Sequence, residues 1–190
     1  LDTANLDLLF QRTVPVEPGD IWRCWTKPEH LMPWFTPAPW KTIACEIDLR
    51  PGGIFSTVML SPDGREFPNL GCFLEIAPNR LLVWTNALEP GFRPSALMSE
   101  TPCEGFAFTA SIALQPVDGG TRYTAMVKHA SEAGKRQHEA MGFEQGWGKA
   151  LVTVRHDDRH RRGGDAVVRG FGSVIRLDRL QSHHADEIVA

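Results

Sequence analysis

Cysteine is scarce in this sequence, and no two cysteines have the spacing of paired metal ligands. The four thiols, at Cys24, Cys45, Cys72 and Cys103, lie far apart and form no CxxC pair. A chain of 190 residues is long enough to build a core without disulfides. We therefore expect reduced thiols in a cytoplasmic protein, rather than a disulfide framework.

The sequence also lacks a long apolar run and a large net charge. No stretch approaches the ~18 apolar residues that a membrane-spanning helix needs. Residues 1–11 have neither the basic start nor the small-residue cleavage site of a secretory signal. The formal net charge of −3 gives no broad attraction for nucleic acid or an anionic membrane. We expect neither nucleic acid nor a membrane as a partner.

Motifs that carry known chemistry are absent as well. The chain has no nucleophile elbow, no supported Ser-His-Asp order, no glycine-rich phosphate loop and no zinc signature. His156 and His160 have a superficial metal-ligand spacing, but they lie beside Gly163 and Gly164 in a segment that is typical of a solvated tail. We therefore predict no catalytic residue, no metal and no cofactor from motifs alone.

What the sequence does contain changes abruptly after Val154. All six tryptophans, all fourteen prolines and all four cysteines precede that position, and an arginine- and histidine-rich run follows it. We predict one domain over residues 1–154. Residues 155–190 are predicted to be a poorly structured tail or a short docked helix, because such a composition buries little apolar area.

Within the domain, the hydrophobic pattern predicts a strand, two short helices, six further strands and a long helix. A strand over 6–16 is followed by a first helix capped by Gly19 and Asp20, and by a second that begins at Pro28. Residues 90–102 are predicted to be a loop. Ser131 opens a helix that is expected to continue to at least Leu151.

The predicted strands alternate apolar and polar residues with a period of two. The residues expected to face the core are Ile43, Cys45, Ile47 and Leu49; Phe55, Thr57 and Met59; Phe106, Phe108, Ala110, Ile112 and Leu114; and Tyr123, Ala125, Val127 and His129. Turns join all of the strands, so the sheet is antiparallel. One long helix covers its apolar face, which makes the fold class α+β.

Several of these segments resemble the START-like (polyketide cyclase, SRPBCC) superfamily. The chain is most similar to the family named for the C-terminal domain of the activator of heat-shock-protein-90 ATPase. The matching segments are WTKPEHLMPWF at 25–35, RPGG within 48–55, the PDG hairpin at 62–64, residues 71–77 and 80–85, 120–124 and 129–133, and GFEQGW at the end of 138–147. The resemblance implies a helix-grip fold, in which a curved antiparallel sheet of about seven strands wraps the long C-terminal helix and leaves a cavity. Its bacterial-type members mostly bind small apolar molecules.

On this fold, nine residues are expected to line the cavity. They are Trp34, Phe55, Met59, Trp84, Phe108, Tyr123, His129, Met141 and Gln145. We further expect Trp84 and Trp147 to face each other across it. The alternative is a packed core, which aromatic and methionine residues form more often than a ligand site. Glycine is unfavourable inside a helix, so the predicted mid-helix positions Gly142, Gly146 and Gly148 indicate either close packing against the sheet or room for a ligand.

Three functions fit these expectations. The first is binding of a small apolar molecule, such as a lipid or an aromatic polyketide-like compound, with a homodimer as a further possibility. The second is a cyclase- or hydratase-like enzyme that uses His129 or Tyr123 as acid or base, with His138 as another candidate. For both histidines the alternative is a hydrogen-bonded structural role. The third is a co-chaperone interaction, as the family name suggests.

Overall fold

The protein is described by a computed structural model that covers residues 4–96, 105–143 and 147. A 3₁₀ turn at Ala4–Leu6 precedes the first strand. The elements that follow, in chain order, are β1 (Asp7–Val14), α1 (Pro18–Thr26), α2 (Pro28–Phe35), β2 (Lys41–Ile47), β3 (Ile54–Leu60), β4 (Glu66–Ala77), β5 (Leu81–Thr85), β6 (Leu88–Glu89), β7 (Arg93–Pro94), β8 (Phe108–Val117), β9 (Gly120–His129) and α3 (Glu132–Ala140).

Seven of these strands form one antiparallel sheet in the order β1-β9-β8-β5-β4-β3-β2. The last strand, β9, pairs with the first along its whole length, from Asp7 opposite Lys128 to Val14 opposite Thr121. This pairing brings the end of the sheet back beside the N-terminal segment, where α3 begins. The predicted seven-stranded antiparallel sheet is confirmed.

One face of the sheet is apolar because the residues of β8 and β9 alternate as predicted. Helices cover this face. Ala110, Ile112 and Leu114 are buried on β8, and Tyr123, Ala125, Val127 and His129 are buried on β9. Helices α1 and α2 pack against this core through Ile21, Cys24, Trp25, Leu31 and Trp34. Burial of each large side chain contributes about 1.5–3 kcal/mol, so this layer provides most of the stability.

The helix α1 begins one residue before the predicted cap. Pro18 is its first residue and Glu17 occupies the N-cap position without a side-chain hydrogen bond, so Gly19 and Asp20 already lie inside the first turn. Proline suits this place because its fixed φ matches the helix and it has no N–H to leave unpaired.

The predicted alternation holds for Cys45 and Ile47, which pack against the core, but it fails at the start of β2. A bulge shifts the register between Thr42 and Ala44, so Thr42 is buried and Ile43 is 41% exposed. One extra residue in a strand reverses the faces of the side chains around it. Leu49, also predicted to face inward, lies beyond the end of β2 and is 38% exposed.

The start of α3 is as predicted, but its course is not. Ser131 is the N-cap, and its hydroxyl accepts a hydrogen bond from the Gly134 N–H at 3.1 Å. The helix ends at Ala140, because Gly142 has φ 87°, in the left-handed region where glycine terminates helices. The chain is helical again at Phe143 and Trp147. Gly142 is thus a helix terminator rather than a mid-helix residue, while Gly146, Gly148 and Leu151 lie outside the described residues.

The predicted loop at 90–102 contains regular structure. Strands β6 and β7 form a small hairpin in which Leu88 pairs with Pro94. The Gly91 N–H donates to the carbonyl of Gly52 at 2.8 Å, which ties the hairpin to the turn between β2 and β3. Residues 97–102 of the predicted loop lie outside the described residues.

Candidate functional site

The candidate site is a set of aromatic rings between the sheet and the helices, which we call the aromatic cluster. Its members are Trp25, Trp34, Phe35, Phe55, Phe73, Trp84 and Trp147. Trp25 lies at the centre, with ring centroids 4.8 Å from Trp34, 5.3 Å from Trp84 and 5.6 Å from Trp147. The i, i+4 spacing of Ile21 and Trp25 points both side chains of α1 into this cluster.

Trp84 and Trp147 are stacked on each other. Their ring centroids are 5.7 Å apart and the ring planes differ by 18°. The expectation that they face each other across an open cavity is therefore wrong, because rings at this distance leave no space for a ligand between them. Trp147 is the partly exposed member of the pair, whereas Trp84 is buried.

Three polar side-chain atoms in and beside the cluster are buried without a hydrogen-bond partner in the described part of the chain. They are Nε1 of Trp25, Nε1 of Trp34 and the hydroxyl oxygen of Tyr123. Tyr123 has no exposed surface, and the two tryptophans are at most 4% exposed. An unpaired buried group of this kind costs about 1–3 kcal/mol, and natural cores contain few of them.

The Tyr123 hydroxyl is held in its protonated form. Burial raises its pKa well above 10, and the indole N–H of Trp25 opposes this rise. The Trp25 nitrogen is therefore near the hydroxyl, although the two atoms do not form a hydrogen bond. Tyr123 can donate a proton or a hydrogen bond here, but it does not act as a base at neutral pH.

A second, partly buried polar group adjoins the cluster at Trp147, and we call it the histidine relay. It consists of the Leu6 carbonyl, His129, His138 and Trp147. Nδ1 of His129 is 3.0 Å from the Leu6 oxygen, Nε2 of His129 is 3.0 Å from Nδ1 of His138, and Nε1 of Trp147 is 3.4 Å from Nε2 of His138. The relay thus joins the N-terminal turn, β9, α3 and the segment that carries Trp147.

The ends of the relay fix the tautomers of both histidines. An indole nitrogen can only donate and a carbonyl oxygen can only accept. Trp147 therefore donates to Nε2 of His138, Nδ1–H of His138 donates to Nε2 of His129, and Nδ1–H of His129 donates to Leu6. Each imidazole carries one proton, so both are neutral and every polar atom of the relay has a partner.

The surroundings of the relay favour this neutral state. The rings of Phe106, Phe108 and Phe143 lie within 5.2–5.6 Å of the His138 ring, centroid to centroid. The pKa of His138 is lowered from 6.5 to about 4, mainly by burial among these rings and secondly by the charge interaction with His129. The structural interpretation of these histidines accordingly fits the geometry.

The sequence-predicted site residues divide among these regions. Trp34, Phe55 and Trp84 belong to the aromatic cluster, Tyr123 adjoins it at Trp25, and Phe108 and His129 lie at the relay. Met59 is partly buried on the same face of β3 as Phe55. Gln145 lies outside the described residues. The ligand-binding role of these residues stays a prediction.

Met141 differs from the expectation that it lines a cavity. It is 58% exposed at the C-cap of α3, because the helix ends there and the chain turns at Gly142. The residues that the sequence analysis missed are Trp25, Phe35 and Phe73, whereas Trp147 and His138 were named for the cavity outside the nine. The apolar face of α1 was the signal that could have added Trp25.

A separate pocket of about 300 Å³ lies at the start of α3. Its walls are formed by residues 105–107 and by the turn into α3, including Ser131, Gly134 and Gln137. Phe106 separates it from the histidine relay, since its ring centroid is 5.6 Å from that of His129. None of the eight sequence-predicted residues that the structure describes lines this pocket.

Two of the cysteines and the possible metal ligands of the described ranges can be assessed. Burial raises the pKa of Cys45 to about 11 and also raises that of Cys72, so neither thiol is an activated nucleophile. No group of three or more His, Cys, Asp or Glu side chains there could hold a metal ion. In the same ranges, no helix has the length and apolarity that crossing a membrane requires.

Comparison with known families gives one extensive match. The model of the family described as "Activator of Hsp90 ATPase homolog 1-like protein" matches residues 15–156. This range contains every strand after β1, all three helices, the aromatic cluster and all of the histidine relay except Leu6. No curated protein is significantly similar to the chain.

Solved structures show the same fold. A protein from Nitrosomonas europaea is 42% identical, with a TM-score of 0.73 over 84% of this chain and 97% of that one. A protein from Mycobacterium smegmatis is 22% identical, with a TM-score of 0.63 over 82% and 91% of the two chains. An AHSA1-like protein from Aeromonas hydrophila is 16% identical, with a TM-score of 0.64 over 84% and 99%. The last two likenesses concern the fold alone, and together the matches confirm the predicted α+β helix-grip architecture.

Proposed function

This chain belongs to the family of activator of Hsp90 ATPase homolog 1-like proteins, within the START-like superfamily, and we propose that it binds a small apolar ligand beside its aromatic cluster. The observation that carries the proposal is the set of three buried polar atoms without partners: Nε1 of Trp25, Nε1 of Trp34 and the hydroxyl of Tyr123.

These atoms favour a ligand because a complete core has little reason to contain them. At about 1–3 kcal/mol each, they remove a large fraction of the 5–15 kcal/mol that a domain of this size usually has. The same sheet face satisfies other buried polar groups: the Thr121 hydroxyl, for example, donates to the Val16 carbonyl at 2.6 Å. A ligand with an apolar body and a polar group would complete the cluster.

The packing indicates how such a ligand could enter. Trp147 and Phe35 are the partly exposed members of the cluster, and Trp147 follows the helix terminator Gly142 in the chain. Its side chain is held by the stack on Trp84 and by a long hydrogen bond to His138. Displacing this one ring opens the cluster without disturbing the hydrogen bonds of the sheet. Reduced thiols at Cys45 and Cys72 are consistent with a cytoplasmic protein.

A titration with the neutral dye 1-aminoanthracene tests the proposal. We expect saturable one-to-one binding that quenches tryptophan emission, together with displacement by a fatty acid or an aromatic polyketide. Trp40→Phe provides a matched control, since Trp40 packs on Phe67 away from the cluster. This variant should bind the dye equally well and show a larger quenched fraction. Unchanged emission and no displacement would contradict the proposal.

An acid–base function is the second candidate, and the geometry restricts it to Tyr123. The ring nitrogens of His129 and His138 are all engaged in the relay. The Tyr123 phenol keeps its proton and has no partner, so it can serve as a general acid. Turnover of a bound carbonyl compound that is lost in Tyr123→Phe, while binding is retained, would support this function.

A further inference from the structure

We propose that the ligand carries an uncharged carbonyl group, which accepts hydrogen bonds from the Trp25 indole and the Tyr123 hydroxyl. This inference rests on the proposed function and specifies its ligand class. It starts from the chemistry of the unpaired atoms, which are all potential donors. An indole N–H can only donate, and a phenol in a fully buried site retains its hydrogen. These atoms therefore need a hydrogen-bond acceptor.

A rearrangement within the protein would not remove the need for an acceptor. If the Trp25 ring turned so that its N–H met the Tyr123 oxygen, that single bond would satisfy one donor. The hydrogen of Tyr123 and the N–H of Trp34 would still lack acceptors in the described part of the chain. Two donors would therefore still need an acceptor even after this change, whereas in the structure as it stands Trp25 and Tyr123 both need one. The two lone pairs of a carbonyl oxygen can accept from two donors.

The surroundings favour a neutral acceptor over a carboxylate. The buried polar residues of the described chain are five threonines, one serine and His129, and none is permanently charged. Arg23 of α1 forms an ion pair with Asp20 on its own helix. A carboxylate in the cluster would lose its hydration without gaining a cation, which is strongly unfavourable. A ketone, ester or quinone oxygen has no such penalty.

Three probes test the role of the carbonyl group, because they share a naphthalene ring system and differ only in its substituent. They are 2-acetylnaphthalene, 2-ethylnaphthalene and 2-naphthoate. Their affinities are measured with the full-length chain by displacement of bound 1-aminoanthracene. Two neutral hydrogen bonds should give the ketone an advantage of about tenfold over the hydrocarbon. The carboxylate should bind more weakly than the hydrocarbon.

Variants then test whether the named donors recognise the carbonyl. Tyr123→Phe removes one hydroxyl and keeps the ring, so affinity for 2-ethylnaphthalene should stay unchanged. The preference for 2-acetylnaphthalene should fall to about threefold. Trp40→Phe, outside the cluster, should leave the full preference. A melting temperature of Tyr123→Phe no lower than that of the wild type shows that the variant is folded.

The possible outcomes separate the two proposals. If none of the probes displaces the dye, and the dye itself does not bind, the proposed function fails. If the hydrocarbon binds as tightly as the ketone, the function stands but the carbonyl inference is wrong. Tighter binding of 2-naphthoate than of 2-ethylnaphthalene would contradict the inference that the ligand's polar group is uncharged. An undiminished ketone preference in Tyr123→Phe would show that Tyr123 does not contact the carbonyl.

Discussion

The histidine relay and the aromatic cluster are both polar sites buried among rings on the same face of the sheet, yet they differ in one respect. In the relay, every nitrogen has a partner and the chain of bonds ends on the backbone of Leu6. In the cluster, Trp25, Trp34 and Tyr123 each leave a donor unpaired. The fold completes the first site by itself, and this difference is the basis of our proposal that a ligand completes the second.

Trp147 joins the two regions. Its ring stacks on Trp84 and lies 5.6 Å from Trp25, while its N–H donates to His138. Any displacement of this ring by a ligand in the cluster therefore breaks a hydrogen bond of the relay as well. If the proposed ligand binds in this way, its binding and the hydrogen bonding of the histidines are linked through this one side chain.

Removal of the shared ring should have the largest effect on stability. Trp147→Ala deletes contacts with Trp84, Trp25, Phe143 and His138, and should lower the free energy of unfolding by roughly 3–5 kcal/mol. Trp147→Phe keeps a ring and removes the N–H, so its cost should be near 1 kcal/mol. Urea denaturation of both variants measures these values.

Trp40→Ala is the control for the loss of a ring that lies outside the aromatic cluster and the histidine relay. Trp40 is partly buried and contacts Phe67, and its removal should cost less than that of Trp147. Equal losses of unfolding free energy for Trp40→Ala and Trp147→Ala would contradict the interpretation that Trp147 stabilises both regions.

A fall in pH should lower the stability of the folded protein through His138 of the relay. Its pKa is lowered by burial, and then by His129, from 6.5 to about 4 in the folded protein. Between pH 6.5 and 4 the unfolded chain binds a proton that the folded chain does not, so stability falls as the pH falls through this range. The full loss is on the order of 3 kcal/mol, and above pH 6.5 this residue contributes no pH dependence.

Chemical denaturation at pH 7.5, 5.5 and 4.5 measures this dependence. His138→Gln should flatten it, since the amide can accept from Trp147 but does not titrate in this range. His30→Gln on α2, outside the relay, is the control and should keep the wild-type slope. A slope that persists in His138→Gln would show that other groups cause the acid sensitivity.

Regular patterns made much of this fold predictable from the sequence. The alternation of β8 and β9 identified Tyr123 and His129 as inward residues, and Ser131 identified the start of α3. The bulge at Thr42 and the helix end at Gly142 were not predicted, because each depends on local backbone geometry that a period does not encode. The domain boundary near Val154 stays a prediction.

The candidate site was less predictable than the fold. The sequence correctly suggested that Trp34, Phe55 and Trp84 gather in the core, because large apolar residues at inward positions meet there. It could not indicate that the Trp84 and Trp147 rings touch, or that His138 pairs with His129. Contacts between elements distant in the chain, and the presence or absence of a hydrogen-bond partner, depend on three-dimensional packing at the scale of one ångström.

The smallest predicted effect addresses the unpaired hydroxyl directly. Tyr123 and Thr121 lie two residues apart on β9, and both are fully buried, but only the Thr121 hydroxyl has a partner, the Val16 carbonyl. Tyr123→Phe removes an unsatisfied group and should leave the ligand-free protein unchanged or up to about 1 kcal/mol more stable.

Thr121→Val is the matched variant, because it removes a hydroxyl of the same strand that does have an acceptor. It leaves the Val16 carbonyl unpaired and should destabilise by about 1–3 kcal/mol. If the Tyr123 hydroxyl has no partner in the ligand-free protein, thermal and urea unfolding should show a loss of stability in Thr121→Val and no loss in Tyr123→Phe. A loss of stability in Tyr123→Phe as large as that in Thr121→Val would show that the hydroxyl already has a partner within the folded chain, and would remove the main support for a ligand at this site.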